Sequence, residues 1–229
     1  MNPLLILLAI LPGLLICYFI FRMDKYESEP KIPLAICFLL GIAVTFPALK
    51  LEEWVLYSES GDYTNFVETF LYALIGVSLI EEGIKFLTLT LYPFQNKFFN
   101  EPMDGIVFSV MIAMGFATFE NVMYAGRFGL EITLARAITA VPAHATFAII
   151  MGYYVGLAKF NEEKKGNLLA TGLLLAMLFH AVYDFFLIQE MYDRLTIFSI
   201  FVLIIAVLFA RKMIKLHQEN SPFKDPENV

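Results

Sequence analysis

Apolar residues fall in seven runs, at roughly 3–21, 33–50, 66–91, 104–125, 133–157, 167–188 and 195–213. Each is near the about 20 residues that a helix needs to cross a bilayer. Short polar breaks separate them. Arg22 to Pro33 is charged and carries Pro30 and Pro33; the acidic second break, from Glu52 to Asn65, holds Ser58, Ser60 and Gly61; Pro93 and Pro102 bound the third. Gly126 to Glu131 and Asn161 to Gly166 are brief and polar. The pattern predicts an all-α polytopic membrane helix bundle of about seven transmembrane helices. Residues 1–215 form the membrane domain and 216–229 a polar tail. The first run has no basic leader and no small-residue cleavage site, so it reads as a retained helix.

Composition agrees. Of 229 residues, 59% are hydrophobic and 17% charged, with a mean hydropathy of +0.70. Soluble domains carry about 25% charged residues. No basic patch or aromatic-basic motif points to nucleic acid, which leaves the lipid bilayer and other membrane proteins as partners. Cys17 and Cys37 lie in separate apolar runs and read as core residues. Lysine and arginine are distributed unevenly. Most fall in the breaks after runs one, three and five and in the tail; Lys50, Arg127, Arg136 and Arg194 fall on the other side. The positive-inside rule then places the N-terminus outside and the C-terminus in the cytoplasm. No internal repeat is evident, which argues against an inverted-repeat transporter.

Within the runs stand Glu81, Glu82, Lys85, Glu120, His144, His180 and Asp184. A charged side chain at the centre of a membrane helix costs roughly 2.5–3.5 kcal/mol on insertion scales, so such residues mark function more often than decoration. Counted from the predicted outer helix ends, Glu120, His180, His144 and Glu81 lie roughly 8 to 22 Å deep at the helical rise per residue. These depths are compatible with one site in the outer half or middle of the membrane. His180 and Asp184 are spaced i,i+4 on one helix face, so Asp184 can accept from one ring nitrogen of His180. Glu81 and Lys85 share that spacing and can form an ion pair. Glu81 and Glu82 point about 100° apart and need not face the same cavity. Taken singly, Glu120 and His144 are equally well explained as interhelical hydrogen-bonding groups; Glu52, Glu53 and His217 read as solvated or interfacial.

The blocks Glu81-Glu82-Gly83-Ile84-Lys85, Asp104-Gly105-Ile106-Val107, Gly115-Phe116-Ala117-Thr118-Phe119-Glu120-Asn121, His144-Ala145 and His180-Ala181-Val182-Tyr183-Asp184 resemble, in order, those of the PrsW family of bacterial membrane proteases. That family is similar in turn to the CAAX prenyl proteases, with two departures here. Lys85 replaces an arginine one position later, and Glu120 stands where the prenyl proteases have a histidine. A prenylated substrate is therefore not implied. The resemblance implies a bacterial cell-membrane endopeptidase. Its substrate would be a single-pass membrane protein such as an anti-sigma factor, cut first on the extracytoplasmic side.

No serine or cysteine sits in a nucleophile motif, so activated water is the expected attacking group. Glu81 or Glu82 is the candidate base. His180, oriented by Asp184, is the candidate for stabilising the oxyanion or returning the proton, with His144 and Glu120 completing the pocket. Two versions stay open. One is metal-free, slightly favoured by the lack of a His-Glu-x-x-His motif. In the other, His144, His180 and Glu82 hold Zn2+. A proton-coupled transporter and a non-catalytic scaffold are the rival classes.

Overall fold

The computed structural model describes residues 2–58 and 63–224. Ser60 and Gly61, expected at a turn, lie outside them. Among the described residues eight α-helices follow one another: α1 (Pro3–Met23), α2 (Lys31–Ser58), α3 (Phe66–Leu71), α4 (Leu79–Leu91), α5 (Pro102–Ile138), α6 (Ala140–Lys159), α7 (Lys165–Ile188) and α8 (Ile197–Glu219). There is no strand among the described residues.

Among the described residues five helical stretches are long and apolar enough to cross a membrane, against about seven expected. They are Pro3–Met23, Lys31–Val55, Pro102–Lys159, Glu162–Ile188 and Asp193–Glu219. The difference has two causes. Pro102–Lys159 covers two of the expected runs, and the expected third run carries Glu68, Glu81, Glu82 and Lys85. The bundle turns apolar side chains outward: Leu4, Leu7, Leu11 and Leu14 on α1 and Phe198, Phe201, Ile205 and Leu208 on α8 are all exposed. Continuous apolar outer faces of this kind suit lipid rather than water.

α5 is the axis of the bundle. From Met103 to Thr118 every residue is buried, enclosed by α1, α2 and α6. Glycine makes this possible. A Cβ on Gly115 would stand 1.9 Å from the Phe38 carbonyl oxygen of α2, and one on Gly105 would stand 2.3 Å from that of Gly152 on α6. Helices meet this closely in membranes through small residues, because lipid offers no hydrophobic drive to pack them.

Three element boundaries differ from the sequence reading, and each shapes the site. α2 continues through Glu52 instead of breaking there. The chain turns in α5 at the single residue Gly129, whose φ of 78° suits glycine. The residues after it, which sequence assigned to the start of the next span, form a short helix belonging to α5, and α6 begins only at Ala140. Between α3 and α4, residues Tyr72–Ser78 form a π-helix. There the Ser78 hydroxyl donates to the Met177 carbonyl of α7 at 2.8 Å. The wider π turns rotate the start of α4 relative to α3, a device common at functional sites.

Candidate active site

Glu81, Glu82 and Lys85 occupy the first two turns of α4, and all three are buried. Lys85 organises them. Its ammonium donates to Glu81 Oε2 at 2.8 Å and Glu82 Oε1 at 2.9 Å, and lies 3.1 Å from His144 Nδ1 of α6. These contacts use all three ammonium hydrogens. They also fix the His144 tautomer: Nδ1 accepts from Lys85, so Nε2 carries the proton and donates to Glu120 Oε2 at 3.1 Å. Phe116 closes the assembly from α5, its ring centroid 4.2 Å from the ammonium.

α7 supplies the other half. His180 Nδ1 lies 2.9 Å from Glu82 Oε1, and its Nε2 lies 3.1 Å from Asp184 Oδ2. Ionised carboxylates only accept, so a ring between two of them donates at both nitrogens and is an imidazolium. Phe147 stacks on His180 at 5.1 Å, and the two histidine rings meet edge to face at 5.2 Å.

Arg136 supplies a further counter-charge. Its Nη2 is 2.9 Å from Glu120 Oε2, and its guanidinium lies 3.9 Å from the Tyr124 ring centroid. In a straight helix, 16 residues would separate Glu120 and Arg136 by about 24 Å. The turn at Gly129 brings them together. Glu81, Glu82, Glu120 and Asp184 are thus met by Lys85, Arg136 and charged His180. Pairing of this kind is what makes buried charges tolerable.

The groups surround a cavity of about 660 Å³, whose lining includes Glu52, Glu81, Glu120, Arg136, His144, His180 and Asp184. Glu82 does not border it; at 1% exposure it lies behind Glu81, held by Lys85 and His180. A pocket of this size is typical for binding a small ligand or peptide segment. Two histidine nitrogens and two carboxylates, from His144, His180, Glu81 and Glu82, lie within 4.8 Å of one another.

Residues 29–210 match the family model described as PrsW family intramembrane metalloprotease. This chain belongs to the PrsW family. Relatives named Protease PrsW include one from Geobacillus kaustophilus, 36% identical over 186 residues, covering 81% of this chain and 80% of that one. Another, from Clostridioides difficile, is 35% identical over 207 residues, covering 88% and 86%. A third, from Bacillus subtilis, is 32% identical over 180 residues, covering 78% and 80%. No solved structure matches. Family membership makes this a membrane protease of multi-pass architecture.

In this PrsW family member, the six residues singled out from sequence converge from four helices, although their counted depths differed by more than 10 Å. The corrected helix end places His144 close to the start of α6 and not deep within it. The His180–Asp184 and Glu81–Lys85 pairs form as their spacing requires. Sequence reasoning missed Arg136, counted only as an outer-side charge, and Glu52, read as solvated or interfacial. Neither had a visible partner, because Arg136 depends on the Gly129 turn and Glu52 on the extension of α2. His217, also read as solvated or interfacial, is buried at 3% exposure and stacked on Tyr153, with Nε2 3.1 Å from that residue's carbonyl oxygen.

Proposed function

We propose that the chain is an intramembrane endopeptidase that hydrolyses a peptide bond in a single-pass membrane protein, using water activated by Glu81. The observation that carries this reading is the division of labour within the acidic pair: Glu81 borders the cavity, whereas Glu82 lies behind it between Lys85 and His180. Glu81 takes a proton as water oxygen attacks the scissile carbonyl carbon. Arg136 lines the same cavity and takes up the developing oxyanion charge. His180, charged between Glu82 and Asp184, is placed to return a proton to the amine as the C–N bond breaks. Asp184 orients that ring. Membership in a protease family favours hydrolysis over the transporter and scaffold readings.

The family description favours a metal-dependent version of the same site. The fit is good in kind and spacing, since two imidazoles and two carboxylates within 4.8 Å suit zinc. Lys85 is the cation that holds those atoms here, so its ammonium competes with a metal for them. His144, His180 and Glu82 would hold the ion, with Glu81 beside them. Bound zinc would supply a Lewis acid that acidifies water or polarises the carbonyl.

Orientation follows the lysine and arginine distribution, with the N-terminus outside and the cavity in the outer half of the membrane. An anti-sigma factor cut on its extracytoplasmic side is the substrate class that fits. The test uses purified protein in proteoliposomes with a tagged single-pass substrate. Glu81→Gln, Glu82→Gln and His180→Ala are each expected to cut clipping by at least ~100-fold at normal protein level, the scale of losing a proton-transfer group. Undiminished clipping in all three overturns the site. Metal analysis of the same preparation separates the versions. Stoichiometric zinc whose removal abolishes clipping assigns the metal version, and clipping by zinc-free protein assigns the metal-free one.

A further inference from the structure

A second group of buried carboxylates lies at the other end of the bundle. Asp24 caps α1, and Glu27 and Glu29 follow in the link to α2. Glu101 caps the start of α5, with Asp104 in its first turn. Glu27, Glu101 and Asp104 each offer an oxygen within 4.8 Å of the others. Asp104 and Glu120 are 16 residues apart on one helix, so about 24 Å separates this group from the cavity.

The helix start accounts for part of the cluster. Asp104 Oδ2 accepts from the Asn100 and Glu101 backbone N–H groups at 2.6 and 2.8 Å, and Glu101 accepts from the Ser221 hydroxyl. It does not account for Asp24 and Glu29. These are 5% and 2% exposed, and none of their four oxygens makes a well-aligned hydrogen bond; the Glu29 backbone N–H lies beside Asp24 and the Asp104 carboxylate beside Glu29. Glu29 lies against Asp104, and Asp24 faces Glu27, Glu101 and Asp104. Asp104 Oδ1 and Glu27 Oε2 are unpartnered too. Among the described residues no lysine or arginine forms an ion pair with any of the five. Five carboxylates so placed lack the positive charge that burial demands.

We infer that Glu27, Glu101 and Asp104, with the Asp24 and Glu29 carboxylates beside them, bind a hard divalent cation of the calcium, manganese or magnesium type. The donor set is oxygen only, which suits these ions and not zinc. The spacing of Glu27, Glu101 and Asp104 agrees: ligands at about 2.3–2.6 Å from an ion lie no more than about 5 Å from one another. The ion ties the end of α1 and the start of α2 to the start of α5. Through Ser221 and Glu101 it also holds the chain just past α8, where Gln218 already donates to the Met23 carbonyl at 2.6 Å. Its role is to clamp four helix ends on the face opposite the cavity.

The test uses the full chain, purified in detergent and stripped with EDTA. It is titrated with MnCl2 by electron paramagnetic resonance, and with CaCl2 and MgCl2 by thermal unfolding. Wild type and His144→Ala are expected to bind one Mn2+ and to gain thermal stability from at least one of the three ions. Glu29→Gln and Asp104→Asn should bind Mn2+ at least tenfold more weakly. They should also unfold at or above the wild-type temperature in EDTA, because each removes a repelling charge; this shows that lost binding is not lost folding. Three results overturn the inference: no saturable binding of any of the ions by wild type, undiminished Mn2+ binding in both carboxamide variants, or binding lost in His144→Ala alone. The last places the ion in the other cluster. Peptide clipping is not a readout, so the outcome is independent of the proposed protease mechanism.

Discussion

Lys85 shows how much one side chain decides. Its ammonium bridges both members of the acidic pair and sets the His144 tautomer, yet it is only 3% exposed. Removing it leaves two carboxylates in low dielectric without their shared counter-charge. Breaking a buried ion pair from one side typically costs about 3–5 kcal/mol. Lys85→Met is therefore expected to lose stability on that scale in denaturant unfolding, whereas Lys85→Arg, which keeps the charge, loses less. Equal stability of the two would show that the ammonium is not the counter-ion. The i,i+4 half of this arrangement was legible, because helix spacing alone places Glu81 beside Lys85. The contact with His144 was not, because 59 residues separate the partners.

At the scale of elements, the glycines divide into those that set helix distance and those that do not. A Cβ at Gly115 meets backbone at 1.9 Å, but one at Gly83 meets nothing within 4 Å. Gly115→Leu is expected to abolish the monodisperse folded peak on size-exclusion chromatography in detergent. Gly83→Ala, though adjacent to the acidic pair, should keep that peak and gain up to about 1 kcal/mol from better helix propensity. A folded Gly115→Leu protein would mean that α2 and α5 do not pack as described. Gly105 and Gly115 are visible in the sequence as small residues within an apolar run. The π turn before α4 and the bend at Gly129 left no comparable sign: a π turn has no required residue, and a glycine in a short break between apolar runs marks a loop equally well.

For the whole molecule, the proposed orientation makes a directional prediction. In a Cys17→Ala, Cys37→Ala background, an impermeant thiol reagent should label Glu190→Cys in intact cells and Lys164→Cys only after permeabilisation. The reverse pattern overturns the orientation and moves the proposed cut to the cytoplasmic side. By itself the sequence determined that the chain is a helical membrane protein and which polar residues are costly enough to need company. That information is local, carried by run length, hydropathy and i,i+4 spacing. Tertiary structure alone decided that Glu81 and not Glu82 borders the cavity and that Arg136 neutralises Glu120. It also decided that five carboxylates from the link between α1 and α2 and from the start of α5 meet at the opposite end. Electrostatic pairing acts over a few ångströms in space with no regard for distance along the chain, so only the packed helices reveal which charge answers which.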